Sequence, residues 1–263
     1  MLGWLQRDGV ALFYEEAGGE GVPVLLVHGI ACDHTHLAPQ FELSGRAGHR
    51  VVAVDLRGHG RSGAPEDDYT IEGFADDLAW TCGQLGLEKP VVVGHSLGGE
   101  VSLALAAAFP DLPSAVVLMD STIVPPSERA DMIRSFIDSL WTPAYPEAMR
   151  GYFSRLFLPT DDGERKARIL EAASRTPQHV VASAWEDGYF FYDTAAAVAA
   201  CTVPVLYIDA GTSNTDLGRF GELCPQLVVG RTVGAGHFIQ LEVPDQVNSM
   251  IERFLKVSGV ERP

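Results

Sequence analysis

The chain has 263 residues, 46% of them hydrophobic and 21% charged, a balance that excludes extensive disorder and leaves enough apolar side chains for a full core. At this length an α/β fold commonly closes around one core, so a single domain carrying an inserted subdomain is expected. The formal net charge of −16 would repel a phosphate backbone or an anionic lipid surface, which argues against nucleic-acid and membrane partners.

Met1 to Asp8 lack the basic start, long apolar stretch and small-residue cleavage site of a signal peptide. No apolar run reaches the ~18 residues needed to span a bilayer, so a soluble cytoplasmic protein is expected. The first elements, Leu2 to Gln6 and Val10 to Glu16, read as an antiparallel hairpin at a sheet edge. The runs Val22 to Val27, Val51 to Val54, Val91 to Val93, Ala115 to Met119, Val203 to Ile208 and Leu227 to Val233 are apolar without alternation, as parallel strands covered on both faces require. Between them Ile71, Phe74, Leu78, Cys82 and Leu85 recur at helical spacing, Leu97 to Phe109 is rich in Ala and Leu, and Val247, Ile251, Phe254 and Leu255 mark a C-terminal helix. Strand alternating with helix predicts a doubly wound α/β sheet.

The rhythm breaks from Ile123 to Ala200, a separation far longer than a simple crossover. Met132, Ile133, Phe136, Ile137 and Leu140 trace an amphipathic helix there, and Glu147 to Phe157, Gly163 to Ala173 and Gln178 to Trp185 read as further helices between prolines. Residues 123–200 are therefore expected to form a helical cap on a core made of 1–122 and 201–263. The segment holds 11 of the 23 aromatic residues. Most serve packing, and a few, with Trp141, Phe153, Phe157 and Trp185 as candidates, are expected to line an apolar substrate pocket. Cys32, Cys82, Cys201 and Cys224 form no C-x-x-C pair, which suggests neither a zinc site nor a redox dithiol and favours buried free thiols.

Three motifs carry chemistry. Gly94-His95-Ser96-Leu97-Gly98-Gly99 lies between a strand and a helix, the context in which G-x-S-x-G forms a nucleophile elbow. Ser96 on so sharp a turn needs small residues two positions away, and Gly94 and Gly98 are such residues. The helix that follows aims its N-terminal N–H groups at the place where an oxyanion would form. Val27-His28-Gly29-Ile30-Ala31 ends another strand, so the N–H groups of Ile30 and Leu97 are the candidate oxyanion donors. His28 is read as a loop-holding hydrogen-bonding residue. Asp33, His34 and His36 could be taken as metal ligands, but no second cluster completes a site, and no metal or cofactor is expected. Gly234-Ala235-Gly236-His237-Phe238 follows the last strand, and His237 is the candidate base that a serine hydroxyl needs.

With Asp55-Leu56-Arg57-Gly58-His59-Gly60-Arg61-Ser62 and Glu242-Val243-Pro244, these motifs resemble the α/β-hydrolase fold family over nearly the whole chain. The resemblance implies an eight-stranded, mostly parallel sheet, a Ser-His-acid triad and a helical cap inserted after the sixth strand. In most relatives the acid follows the seventh strand, where this chain has Ser213 near the expected position. Asp120, at the end of the sixth strand, and Asp216, further along the loop, are the candidates. Asp120 is favoured because a strand end is rigidly placed, while Asp209 is read as structural.

The leading expectation is an acyl hydrolase, cleaving a carboxylic ester or lactone of a small hydrophobic substrate with aromatic or cyclic character. Carbon–carbon bond hydrolases and cofactor-free dioxygenases of the same fold remain as alternatives, as does a non-catalytic small-ligand receptor. A monomer and a homodimer are both compatible with the sequence.

Overall fold

The computed structural model describes residues 1–125, 130–211 and 215–260. Eight strands, β1 (Leu2–Arg7), β2 (Val10–Ala17), β3 (Val24–Val27), β4 (Val51–Val54), β5 (Val91–His95), β6 (Ala115–Met119), β7 (Val205–Asp209) and β8 (Leu227–Arg231), form one sheet in the order β1-β2-β4-β3-β5-β6-β7-β8. β1 and β2 pair antiparallel, β2 joins β4 antiparallel, and the remaining pairs are parallel. Every residue of β3 to β7 is buried, which is why those runs show no alternation in the sequence. Two strands begin later than their apolar runs, at Val24 and Val205, because Pro23 and Pro204 offer no N–H to a ladder.

Helices α1 (Ala38–Arg46), α2 (Ile71–Leu85), α3 (Leu97–Ala108) and α9 (Leu217–Leu223) lie in the sheet crossovers, and the single turn α10 (Ile239–Glu242) and α11 (Pro244–Val257) follow the last strand. In α2 the stripe Ile71, Phe74, Leu78 and Cys82 is buried, the Thr70 side chain caps the start, and Gly86 ends the helix with a left-handed φ of 57°. All four cysteines are buried and free.

Between β6 and β7 the described residues form five helices, α4 (Ala130–Leu140), α5 (Tyr145–Ser154), α6 (Gly163–Ala173), α7 (Gln178–Phe190) and α8 (Thr194–Ala200). α8 has no counterpart among the expected helices. Its residues Thr194-Ala-Ala-Ala-Val-Ala-Ala200 carry too little polarity contrast for a 3.6-residue stripe. Asp193, whose carboxylate accepts the Ala196 N–H at 3.0 Å, marks its start. α8 buries Ala197 and Val198 with Val116, Leu118 and Tyr207 of the sheet, whereas Ile137, Met149, Phe153 and Trp185 of the other helices join the core on the α2 and α3 side. Among the described residues no helix is long and apolar enough to cross a membrane.

Candidate active site

The chain turns from β5 into α3 at Ser96, whose backbone has φ 53° and ψ −124°. Such a conformation is disfavoured for a residue with a Cβ and persists only where the surroundings enforce it. A Cβ on Gly94 would collide with the Gly98 carbonyl, and one on Gly98 with the Val27 carbonyl. The turn therefore closes only with glycine at both positions. The Ser96 N–H donates to the Met119 carbonyl at 3.0 Å, which ties the elbow to the end of β6.

Asp120 follows at that strand end, also with a positive φ, of 45°. Its N–H donates to the Ile208 carbonyl at 2.8 Å, and its Oδ1 accepts the Ala210 N–H at 3.0 Å. Oδ2 lies 2.6 Å from His237 Nδ1. A carboxylate at Nδ1 fixes the proton there and presents Nε2 as the basic nitrogen. The His237 loop is held from two sides. Its N–H donates to the Leu156 carbonyl at 2.8 Å, and its carbonyl faces His95 Nε2 at 3.0 Å. The preceding Gly236 N–H donates to Asp161 Oδ2 at 3.2 Å. Leu156 and Asp161 belong to the insertion, so the helical segment grips the histidine loop directly.

The other acids have different partners. Asp216 is the N-cap of α9 and accepts the Arg219 N–H at 2.9 Å. Asp209, fully buried, forms an ion pair with Arg231 at 2.6 Å. Ser213 lies outside the described residues.

Ile30 and Leu97 both line the cavity above Ser96. Leu97 is the first residue of α3, so its N–H has no acceptor within the helix. The β3 loop is shaped by Ala31, at φ 54°, and by His28. The His28 Nδ1–H donates to the Gly29 carbonyl at 2.7 Å and Nε2 accepts the Leu56 N–H at 3.0 Å. That pairing uses both ring nitrogens of a neutral imidazole, and burial keeps His28 neutral by lowering its pKa despite nearby Asp55. Asp33, His34 and His36 are likewise engaged locally. Asp33 caps the 3-10 turn His34–Leu37, and His34 Nδ1 sits 2.7 Å from Asp55 Oδ1.

Ser96, Asp120 and His237 open onto one cavity of about 550 Å³, whose opposite wall is Tyr152, Leu156, Trp185 and Tyr189 from the insertion. A second cavity of about 720 Å³ continues past Tyr152 and Trp185 towards Ile133, Phe136 and Arg155. Of the four aromatic residues expected at the pocket, the structure brings Trp185 to the cavity wall. Trp141 is 49% exposed. Phe153 and Phe157 are buried against Phe238, the residue after His237, at ring-centroid distances of 6.3 and 5.0 Å. Tyr152 and Tyr189, outside those four, share the wall with Trp185. Tyr189 had a legible signal, because it lies four residues after Trp185 on α7 and therefore on the same face, and the two rings stack at 5.1 Å. Tyr152 differs from Phe153 by one step of a helix, and only the docking angle of α5 decides which of them meets the cavity.

Comparison with known proteins agrees with this architecture. A family model for the α/β-hydrolase fold matches residues 22–161. The chain is 28% identical over 259 residues to a 2-(acetamidomethylene)succinate hydrolase from Mesorhizobium japonicum, covering 90% of this chain and 89% of that protein. Among solved structures, a thermophilic esterase from Thermogutta terrifontis superposes with a TM-score of 0.85 at 27% identity, covering 98% and 99% of the two chains. An enol-lactonase from Burkholderia xenovorans matches in fold with a TM-score of 0.85 at 23% identity, covering 97% and 100%.

Proposed function

The chain belongs to the α/β-hydrolase family, and from that premise we propose that it is a serine hydrolase cleaving a carboxylic ester or lactone of a small hydrophobic substrate. The observation that carries this reading is the 2.6 Å contact between Asp120 and His237 in the cavity onto which Ser96 opens. His237 Nε2 takes the Ser96 proton as Oγ attacks the carbonyl carbon. The N–H groups of Ile30 and Leu97 stabilise the oxyanion of the tetrahedral intermediate. His237, now an imidazolium held by Asp120, returns the proton to the leaving alkoxide. Water then repeats the cycle on the acyl-enzyme, releasing acid and regenerating Ser96.

Residues 123–200 act as the cap over a core of 1–122 and 201–263, with α8 as its foot on the sheet. The aromatic wall of Tyr152, Trp185 and Tyr189 favours an apolar substrate with flat or cyclic groups. Relatives named as an esterase and a hydrolase support the reaction class. Hydrolysis of p-nitrophenyl esters should disappear in Ser96→Ala, and undiminished cleavage by that variant would overturn the proposal. A second reading, cofactor-free oxygenation of a heteroaromatic compound, draws on the same Asp120–His237 pair. Oxygen uptake that survives Ser96→Ala would favour it.

A further inference from the structure

One polar group in the cavity has no part in this chemistry. Glu100 stands one turn beyond Ser96 on α3 and lines the cavity with Ser96, Trp185 and Tyr189. Only 9% of the residue is exposed, and among the described residues neither an ion pair nor a hydrogen bond engages its carboxyl group. Gly188 on α7 leaves it room, since a Cβ there would lie 3.2 Å from Glu100 Oε2. Trp185, in the same cavity wall, has its Nε1–H buried without a partner. Buried polar groups are normally satisfied, and Ser102 on the same helix obeys that rule by donating to the Gly98 carbonyl at 2.6 Å. An unmatched carboxyl aimed at an aromatic-walled cavity therefore calls for a ligand atom.

We propose that Glu100 is a specificity residue whose carboxyl group hydrogen-bonds a carbonyl-type acceptor oxygen of the substrate, remote from the bond that Ser96 attacks. This rests on the reading of the cavity as the hydrolytic site. Burial pushes the Glu100 pKa well above the usual carboxylate range, which favours the protonated carboxyl, an O–H donor, over the carboxylate. The substrate class narrows accordingly, from apolar esters to esters or lactones bearing a second oxo group. A site built around a buried hydrogen-bonding group rejects analogues that lack the matching atom, because the protein group is then left unpaired.

The test uses two matched pairs, p-nitrophenyl 4-oxopentanoate with p-nitrophenyl pentanoate, and 4-oxopentyl acetate with pentyl acetate. They place the extra oxygen on the acyl and the alcohol side respectively. Turnover is measured in the wild type, Glu100→Gln, Glu100→Leu and Gly188→Ala. Binding of the intact esters is measured by ligand-observed NMR in the same variants carrying Ser96→Ala. We expect the oxo member of at least one pair to be preferred about tenfold. The preference should be retained in Glu100→Gln, whose amide still donates, lost in Glu100→Leu, and reduced in Gly188→Ala, whose methyl crowds the carboxyl without disturbing a helix. Equal treatment of both members in both pairs, or a preference that survives Glu100→Leu, would overturn the proposal. Loss in Glu100→Gln as well as in Glu100→Leu would also overturn it, because an amide N–H should serve the same acceptor oxygen. Should Glu100→Leu fail to fold, Glu100→Gln and Gly188→Ala still decide. If no ester is turned over but the binding preference follows the expected pattern, the hydrolase reading fails and this one stands.

Discussion

Ser96 and Asp120 are held by the backbone of the sheet's carboxyl edge and His237 by hydrogen bonds to its ring and loop, whereas Tyr152, Trp185 and Tyr189 across the cavity are held by ring packing between helices. Ser96 and Asp120 each follow a buried strand, carry a positive φ, and are fixed by hydrogen bonds to the ends of β6 and β7. Trp185 is fixed by contacts with Phe136, Tyr152 and Tyr189 at centroid distances of 4.9 to 5.2 Å. Strand ends in register leave little freedom, while packed helices admit other rotations and replacements. Under the proposed function the first region accounts for the reaction and the second for its substrate. They are joined where Leu156 and Asp161 of the insertion grip the loop of His237.

The sharpest way to break this division is through the acids. Asp120→Asn should lower kcat by about 10³ to 10⁴-fold, because the amide no longer fixes the His237 tautomer. Asp216→Ala should leave kcat intact and cost about 1 kcal/mol of stability through the lost α9 cap, read by denaturant unfolding. A kcat that follows Asp216 would move the acid to the β7 loop. Next in size, Asp161→Asn loosens the Gly236 N–H contact and should lower kcat about tenfold with little change in KM, since a displaced base misaligns the attack. No change in kcat would separate the insertion from the chemistry altogether.

Smaller effects test the pocket wall. Trp185→Ala should shift the preference between aryl and short alkyl esters by about tenfold, while Trp141→Ala, at an exposed position, should shift it by less than a factor of two. The smallest effect concerns the frame beneath the site. Burial, aided by His28, pushes His59 down to about 3, below its ordinary value near 6.5. The unfolded chain thus binds a proton that the folded chain refuses, and stability falls as the pH drops from about 6.5 towards 3. His28 and His95, lowered by burial, act in the same sense, while His34 and His36, raised by their acidic neighbours and by Cys32 respectively, oppose it. His59→Gln should flatten the decline of melting temperature over that interval, and an unchanged slope would contradict the account.

The same contrast explains what was legible in the sequence. Gly94-x-Ser96-x-Gly98 requires glycine because backbone closes on backbone, so the elbow leaves a pattern of residue types at fixed offsets. His237 follows the last strand of the order and lies in a small-residue loop, which also survives translation into sequence. The choice between Asp120 and Asp216 was framed by strand ends, and the observed pairing of Asp120 follows from the register of β6 beside β5. Trp141, Phe153 and Phe157 fell elsewhere because aromatic character says that a ring will be buried, not which way a helix turns it. α8 leaves no such sign for a related reason, since alanine buries well without producing an amphipathic stripe.

The central claim is that Ser96 is a nucleophile activated through His237 by Asp120. Its most direct test is labelling of the purified protein with a fluorophosphonate, with the adduct located by peptide mass mapping in the wild type, Asp120→Asn and Asp216→Asn. The account predicts rapid labelling at Ser96 in the wild type and in Asp216→Asn, and labelling slowed by orders of magnitude in Asp120→Asn. A folded wild type that takes up no label, or equal labelling in Asp120→Asn, would contradict it.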